Sequence, residues 1–235
     1  MNECIERYDL KPAAAWLRGH SIKTGTPEID TELLEMPLEV LTDEELATIV
    51  EIGETTGQKL YPFKTGKAEL PRVRQVVGFL HGIEFKSLLD VGSGRGVFLL
   101  PFMEEFPQVQ VTSLDLLDKR VTFLNELAAG GYSQLTAYNK NICDQPFPEN
   151  SFDVVTLLEV LEHIPEVGKA VAAAVKMARK YVVVSVPSKE DDNPEHIHLL
   201  TKDILTKLFA EAGCTKLHFG GVNGHLIMIA NAGEE

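Results

Sequence analysis

The sequence predicts an α/β fold with a doubly wound, mostly parallel sheet, an antiparallel hairpin at one edge and a helical cap ahead of it. Three observations predict it. Short continuous apolar runs at Ser87–Val91, 109–114, Phe152–Leu158 and 181–186 are separated by helical stretches, as expected for parallel strands covered by helices on both faces. The first run enters a turn with three alternate glycines, Gly92, Gly94 and Gly96. At the C-terminus the pattern changes: runs at 216–219 and 225–230 flank Gly220-Gly221-Val222-Asn223-Gly224, which reads as two strands about a glycine-rich turn.

The elements follow in order. Residues 1–66 are acidic, carry Pro12, Pro27 and Pro37, and show helical rather than strand patterns. Thr42 and Glu45 have the spacing of a capping box, and Leu46, Ile49, Val50 and Gly53 then form one helical face. The stretch 61–67 reads as a loop that ends this cap, and residues 67–235 form the second unit. Val73, Val76, Val77 and Leu80 predict a helix ending at Gly82, where a left-handed cap costs little. An amphipathic helix over 201–212 is closed by Gly213.

Length and composition set outer bounds. A chain of 235 residues with 44% hydrophobic and 24% charged side chains can bury a core, which excludes a disordered tail, a collagenous fibre and a disulfide miniature. Its 35 acids against 22 bases leave a net charge of −13, which weighs against nucleic acid as a partner. Cys4, Cys143 and Cys214 are odd in number and far apart, so free thiols in a reducing compartment are expected. The N-terminus lacks a basic segment leading into an apolar one, and no apolar run approaches the ~20 residues of a membrane helix. The expectation is a soluble, cytoplasmic protein.

The chemistry concentrates around Leu88-Leu89-Asp90-Val91-Gly92-Ser93-Gly94-Arg95-Gly96, after which Val97 begins a predicted helix. Glycines there permit a tight turn and close approach of a ligand to the backbone, and a helix start adds unpaired N–H groups. The spacing G-x-G-x-G differs from the dinucleotide pattern G-x-G-x-x-G. Asp90, two residues ahead of the first glycine, would repel a pyrophosphate but can hold an ammonium group. Asp115, ending the second strand nineteen residues past Gly96, stands where a carboxylate accepts ribose hydroxyls.

These residues, with the run from Cys143 to Val155 (C-D-Q-P-F-P-E-N-S-F-D-V-V), resemble the class I S-adenosylmethionine-dependent methyltransferases, above all the broad group with the ubiquinone- and menaquinone-pathway enzymes. The resemblance covers about residues 70 to 230 and implies a Rossmann-like sheet with S-adenosylmethionine as cofactor. By position it assigns Asp90, Gly92, Ser93, Gly94 and Gly96 to the methionine part, Asp115 to the ribose and Leu116 to the adenine. Asn141 stands where the family usually has an acid facing the adenine amino group, with Ile142 lining the ring and Asp144 nearby.

Leu158-Glu159-Val160-Leu161-Glu162-His163-Ile164-Pro165 follows the Phe152–Leu158 run, and Pro194-Glu195-His196-Ile197-His198 follows the 181–186 run. On a helix Glu159, Glu162 and His163 share a face. Three readings stand. Glu159, Glu162, His163 and His198 resemble the metal site of RNA 3′-terminal ribose 2′-O-methyltransferases; His163 or His198, with Glu159, serves as a metal-free general base; or the charged pair braces the helix. Glu159 is also a cofactor candidate. The expected activity is methyl transfer to a small-molecule acceptor without a metal. The rivals are the RNA-end enzyme and a module that binds the cofactor without turnover. Tyr61 and Phe63 read as lid residues and Trp16 as packing. Acids in the cap and at 190–195 are expected to rim the acceptor entrance and to discourage RNA.

Overall fold

The computed structural model describes residues 7–190 and 192–233; Cys4 and the first six residues of the N-terminus lie outside them. The cap contributes α1 (Leu10–Thr24), α2 (Thr31–Glu35) and α3 (Asp43–Thr55), and α4 (Pro71–His81) leads into the sheet. There follow β1 (Ser87–Val91), α5 (Leu99–Glu105), β2 (Gln110–Asp115), α6 (Asp118–Ala129), β3 (Leu135–Asn139), β4 (Phe152–Leu158), α7 (Val167–Met177), β5 (Ala178–Pro187), α8 (Lys202–Glu211), β6 (Lys216–Val222) and β7 (His225–Asn231).

The seven strands lie in the order β3-β2-β1-β4-β5-β7-β6. Strands β1 to β5 are parallel, and β7 enters antiparallel between β5 and the edge strand β6. This is the Rossmann-like sheet with a terminal hairpin that the pattern predicts. The order reverses beside β1, so a crevice opens above its carboxyl end. The hairpin turn is tighter than the glycine stretch indicates: β6 runs through both Gly220 and Gly221, and Asn223 and Gly224 alone turn the chain, both at positive φ. Strand β3 is not announced by an apolar run. It is the other edge strand, and its Leu-Thr-Ala-Tyr-Asn alternates between buried and exposed positions.

The capping box forms as expected: Glu45 N–H donates to Thr42 Oγ1 at 3.3 Å, and Thr42 N–H to Glu45 Oε2 at 2.7 Å. Gly213 is left-handed after α8, with φ 86°. Gly82 differs: its φ is −84°, so α4 ends in right-handed backbone. The stretch expected to be a loop contains a short 3₁₀ turn, Tyr61–Phe63, because Phe63 is drawn fully into the core while Tyr61 stays exposed.

The sheet separates two apolar clusters. One holds Leu88, Val111, Val154 and Val183 from the strands, together with α4, α5, α6 and the cap. The other packs α7 and α8 against Leu89, Val155, Leu157 and Val184. Helix α1 is wedged between α3 and α6 and is buried from Pro12 to Gly19. Trp16 donates its indole N–H to buried Glu126 at 2.9 Å and meets the Phe63 and Phe123 rings, which bears out packing as its role. The two helices touch backbone to backbone. A Cβ on Gly19 would stand 1.8 Å from the Glu126 carbonyl oxygen, and one on Gly130 1.7 Å from that of Ala15. Among the described residues no helix is long and apolar enough to cross a membrane, and Cys143 and Cys214 are free thiols.

This contact sets a stability prediction. Gly19→Ala drives a methyl into backbone that cannot step aside and is expected to lower unfolding free energy by about 3 kcal/mol. Gly78→Ala, in α4 with nothing within 4 Å of the added carbon, is expected to raise it by about 0.5–1 kcal/mol. Urea unfolding of both variants checks the pair; equal stabilities would show that α1 does not depend on this approach.

Candidate functional site

The glycine turn is built as its residues demand. Gly92, Gly94 and Gly96 have φ of 67°, 60° and 74°, a region that strains side chains with a Cβ. Space is short as well: a Cβ on Gly92 would lie 2.7 Å from Val160, and one on Gly94 2.9 Å from the Arg120 guanidinium. The turn is tied to β2 by Gly92 N–H on the Leu114 carbonyl at 2.7 Å, and Ser93 Oγ lies 2.6 Å from Ser113 Oγ. Helix α5 starts at Leu99, not Val97, because the left-handed Gly96 and the turns after it intervene.

Two carboxylates flank the turn. Asp90 is buried and accepts from the Thr156 hydroxyl at 2.6 Å. Burial pushes its carboxyl up to about 6, against the hydrogen bonds from Ser93 and Thr156, and nearby Asp115 adds to the rise. Asp115 accepts the Leu117 N–H at 2.9 Å and the Gly94 N–H at 3.3 Å, which aims it over the turn.

Two cavities meet here. The first, about 560 Å³, holds Asp90, Ser93 and Phe98 against Tyr61, Leu70 and Val73 from the segment before the sheet. The second, about 610 Å³, lies between Asp115, Leu116, Asn141, Ile142 and Val160. Gly92, Gly94, Arg120 and Glu159 line both. The structure thus gathers Asp90, Gly92, Ser93, Gly94, Asp115, Leu116, Asn141, Ile142 and Glu159 about one crevice. Gly96 lines neither cavity and serves the turn. Asn141 Oδ1 accepts the Cys143 N–H at 3.0 Å and so caps the 3₁₀ turn Ile142–Asp144.

The expected helix through Glu159, Glu162 and His163 does not form. Glu159 has φ 59°, its N–H is held by the Ser185 carbonyl at 2.9 Å, and only a 3₁₀ turn, Leu161–His163, follows. Ile164 is extended, as the residue before a proline is driven to be. Glu159 therefore turns away from Glu162 and His163. Glu159 turns to Ser185, whose hydroxyl donates to it at 2.6 Å, and to His225 Nδ1 at 3.0 Å. Glu162 is fully buried. His163 lines the second cavity, and His198 lines neither, its Nε2 lying 3.0 Å from the Ile164 carbonyl oxygen.

The set Glu159, Glu162, His163 and His198 is consequently not brought together. Among the described residues the group that does converge is Glu162, His163 and His196, with ligand atoms within 4.8 Å of one another. The expected acidic rim is also reversed. Lys64, Lys67, Arg72, Arg95 and Arg120 line the first cavity against two acids, Asp90 and Glu159, and among the described residues none of 190–195 lines it.

His225, Ser185, Thr156 and Arg120 were not apparent from the sequence. Ser185 and His225 reach Glu159 only through the pairing of β5 with β7, in which Pro187 stands opposite His225. Thr156 reaches Asp90 through the β1–β4 register. Arg120, five residues past Asp115 on the first turn of α6, carried a usable signal: a cation one helical turn beyond a strand-end acid.

Residues 89–184 match the methyltransferase domain family. Over 134 residues the chain is 31% identical to the ribosomal RNA small subunit methyltransferase G of Streptococcus suis, a match covering 53% of this chain and 52% of that one. The chain thus spans about half, or less, of the curated relatives it matches. Among solved structures, a SAM dependent methyltransferase from Aquifex aeolicus superimposes with a TM-score of 0.58 at 19% identity, covering 72% of this chain and 93% of that one. Magnesium protoporphyrin IX methyltransferase from Synechocystis, with bound SAH, gives 0.55 at 17%, covering 68% and 81%. At such identities the likeness is one of fold. Residues 89–184 thus carry the match to the methyltransferase domain, and the solved methyltransferases share the fold around it.

Proposed function

We propose that the protein transfers the methyl group of S-adenosylmethionine to a small-molecule acceptor seated in the first cavity. The observation that carries this reading is the junction of two cavities at Gly92, Gly94 and Glu159: one has the form of a nucleoside site, and the other is open for a second reactant. The residues present fit the cofactor. A turn that any Cβ would fill lies between two strand-end carboxylates, and exposed Leu116 stands across the second cavity from Ile142. When bound, the cofactor supplies a methyl group already activated on a sulfonium.

In this reading Asp90 takes the ammonium and Gly92, Ser93 and Gly94 receive the methionine chain, with Gly96 shaping the turn. Asp115 accepts from the ribose hydroxyls, Leu116 and Ile142 flank the adenine, and Asn141 has one lone pair of Oδ1 left for the adenine amino group. The cap, residues 1–66, and the methyltransferase part, 67–235, divide the work: Tyr61 to Val73 roof the acceptor. Chemistry then depends chiefly on holding the nucleophile in line with methyl and sulfur, positioning that supplies roughly 7–11 kcal/mol. Of the three catalytic candidates, Glu159 is the one we place at the reaction. It lines both cavities, and Ser185 and His225 fix both of its oxygens; a proton taken up there has His225 as its next partner. His163 stands on the nucleoside side, and His198 is a brace.

A second reading, transfer to ribosomal RNA, draws on the names of the curated relatives and on the basic lining of the first cavity. Methyl-tritiated S-adenosylmethionine, incubated with the protein and with either a metabolite fraction or total RNA, separates the two. Label in the metabolite fraction is expected; label confined to RNA moves the assignment to the second reading. Binding of S-adenosylhomocysteine without transfer to either leaves a binding module.

Two predictions address the cofactor. Asp115→Ala is expected to weaken S-adenosylhomocysteine about 10–100-fold by calorimetry, the loss of charge-assisted hydrogen bonds; undiminished affinity removes Asp115 from the ribose. Asp90 must be ionised to hold an ammonium, yet in the free protein it protonates at about 6. Binding below that pH therefore has to expel a proton. Affinity is expected to fall about tenfold for each pH unit below 6 and to be level above it. The slope disappears in Asp90→Asn if Asp90 is its source; a slope that survives the substitution assigns it elsewhere.

A further inference from the structure

We propose that the methyl acceptor carries a compact anionic group, a phosphate or carboxylate, seated among Lys64, Lys67, Arg72, Arg95 and Arg120 at the mouth of the first cavity. The proposal rests on the methyltransferase reading and narrows its substrate class.

The argument begins with where the protein's cations go. The chain has 35 acids for 22 bases, and elsewhere many of its cations find carboxylates, while Arg18 and Lys180 donate to backbone carbonyls and Lys140 and Lys202 lie over aromatic rings. Arg7 pairs with Glu54, Lys11 with Glu104, Arg74 with Glu69, Lys169 with Glu166, Arg179 with Asp153 and Lys207 with Glu211. At the cavity mouth this fails. Among the described residues Lys64, Arg72, Arg95 and Arg120 have no carboxylate partner, and Lys67 has only Asp9, 4.0 Å away. Four like charges without counter-ions, beside a fifth that has only a distant one, repel one another, and a concave wall focuses their field inward. A surface so rich in acids leaves such a set unneutralised at little cost only where an anion completes it.

The local geometry agrees. The exposed ring of Tyr61 carries Lys64 on one contact, 5.7 Å from its centroid, and Arg95 on another, 5.4 Å away. One aromatic ring thus holds two cations at the rim, one from the segment before the sheet and one from the glycine turn. Lys67 is mostly buried and donates to the Lys64 carbonyl at 2.5 Å, which fixes this stretch against the mouth. Arg120 rises from the other side, against Gly94. The two acids of the cavity are committed elsewhere: Asp90 to Thr156, and Glu159 to Ser185 and His225. Guanidinium groups, with their forked donors, suit a phosphate or carboxylate.

The test is calorimetry on the full chain in phosphate-free, low-chloride buffer. S-Adenosylhomocysteine is titrated first; with it saturating, sodium pyrophosphate, citrate and a single-stranded RNA oligonucleotide follow. The expected result is binding of pyrophosphate or citrate, and the stronger of the two identifies phosphate or carboxylate as the group. Lys64→Gln with Arg72→Gln is expected to weaken that anion on the order of tenfold while S-adenosylhomocysteine still binds. Arg72→Lys restores part of the loss, and Lys207→Gln on α8 has no effect. An unchanged thermal midpoint in each variant keeps misfolding apart from lost contact. Three results overturn the proposal: neither small anion binds although S-adenosylhomocysteine does; the anion binds equally well to the double variant; or RNA alone binds. If S-adenosylhomocysteine fails to bind, the cofactor reading falls, and the anion titrations without it still decide whether the seat exists.

Discussion

The turn at Gly92 is the constraint on which the rest of the site depends. β1 lies between β2 and β4, and the sheet reverses order beside it, so chain leaving β1 must rise over the crevice rather than cover it. That demands left-handed backbone at once, together with a close approach to Val160, which only glycine permits. Holding the Gly92 N–H on the Leu114 carbonyl then brings the ends of β1 and β2 together. Asp90 and Asp115 come to flank one opening because their strands are in register, with Asp90 opposite Ser113.

Electrostatics divides this opening into two halves. The second cavity sets three carboxylates, Asp115, Glu159 and Glu166, among Arg120, Lys140 and the apolar Leu116 and Ile142. The first is crowded with cations, in a molecule whose total charge has the opposite sign. A net charge is a sum over the whole surface, whereas recognition responds to the field within roughly a Debye length of about 8–10 Å. The two can therefore differ in sign without conflict. The cap makes this possible: α1 docks on α6 by backbone contact, and the end of the cap delivers Tyr61 and Lys64, followed by Lys67, to the first cavity.

Much of the fold was legible because burial writes itself into composition. Strands covered on both faces must be apolar throughout, and β1, β2, β4 and β5 were visible for that reason. The edge strand β3, exposed on alternate residues, was not. Glu159 and His163 follow the end of β4, but the helix expected through them does not form. Their spacing fits a helix; what opposes it is the β5 carbonyl holding the Glu159 N–H and a proline two residues past His163. His196 rather than His198 meets His163, because a loop's path is not set by local periodicity.

By itself the sequence determined the parallel sheet, the hairpin, the glycine turn and the two strand-end acids. Each follows from neighbours in the chain: apolar runs, alternate glycines, a carboxylate at a fixed offset. Tertiary structure alone decided which side chains share the cavity. Ser185 and His225 reach Glu159 across the β5–β7 pairing, and Thr156 reaches Asp90 across β1–β4. Lys64, Arg72, Arg95 and Arg120 converge from three separate segments. Contacts between residues far apart in the chain depend on how elements pack, and no local pattern encodes them. The sign of the charge lining the first cavity is such a property, opposite here to the sign of the whole.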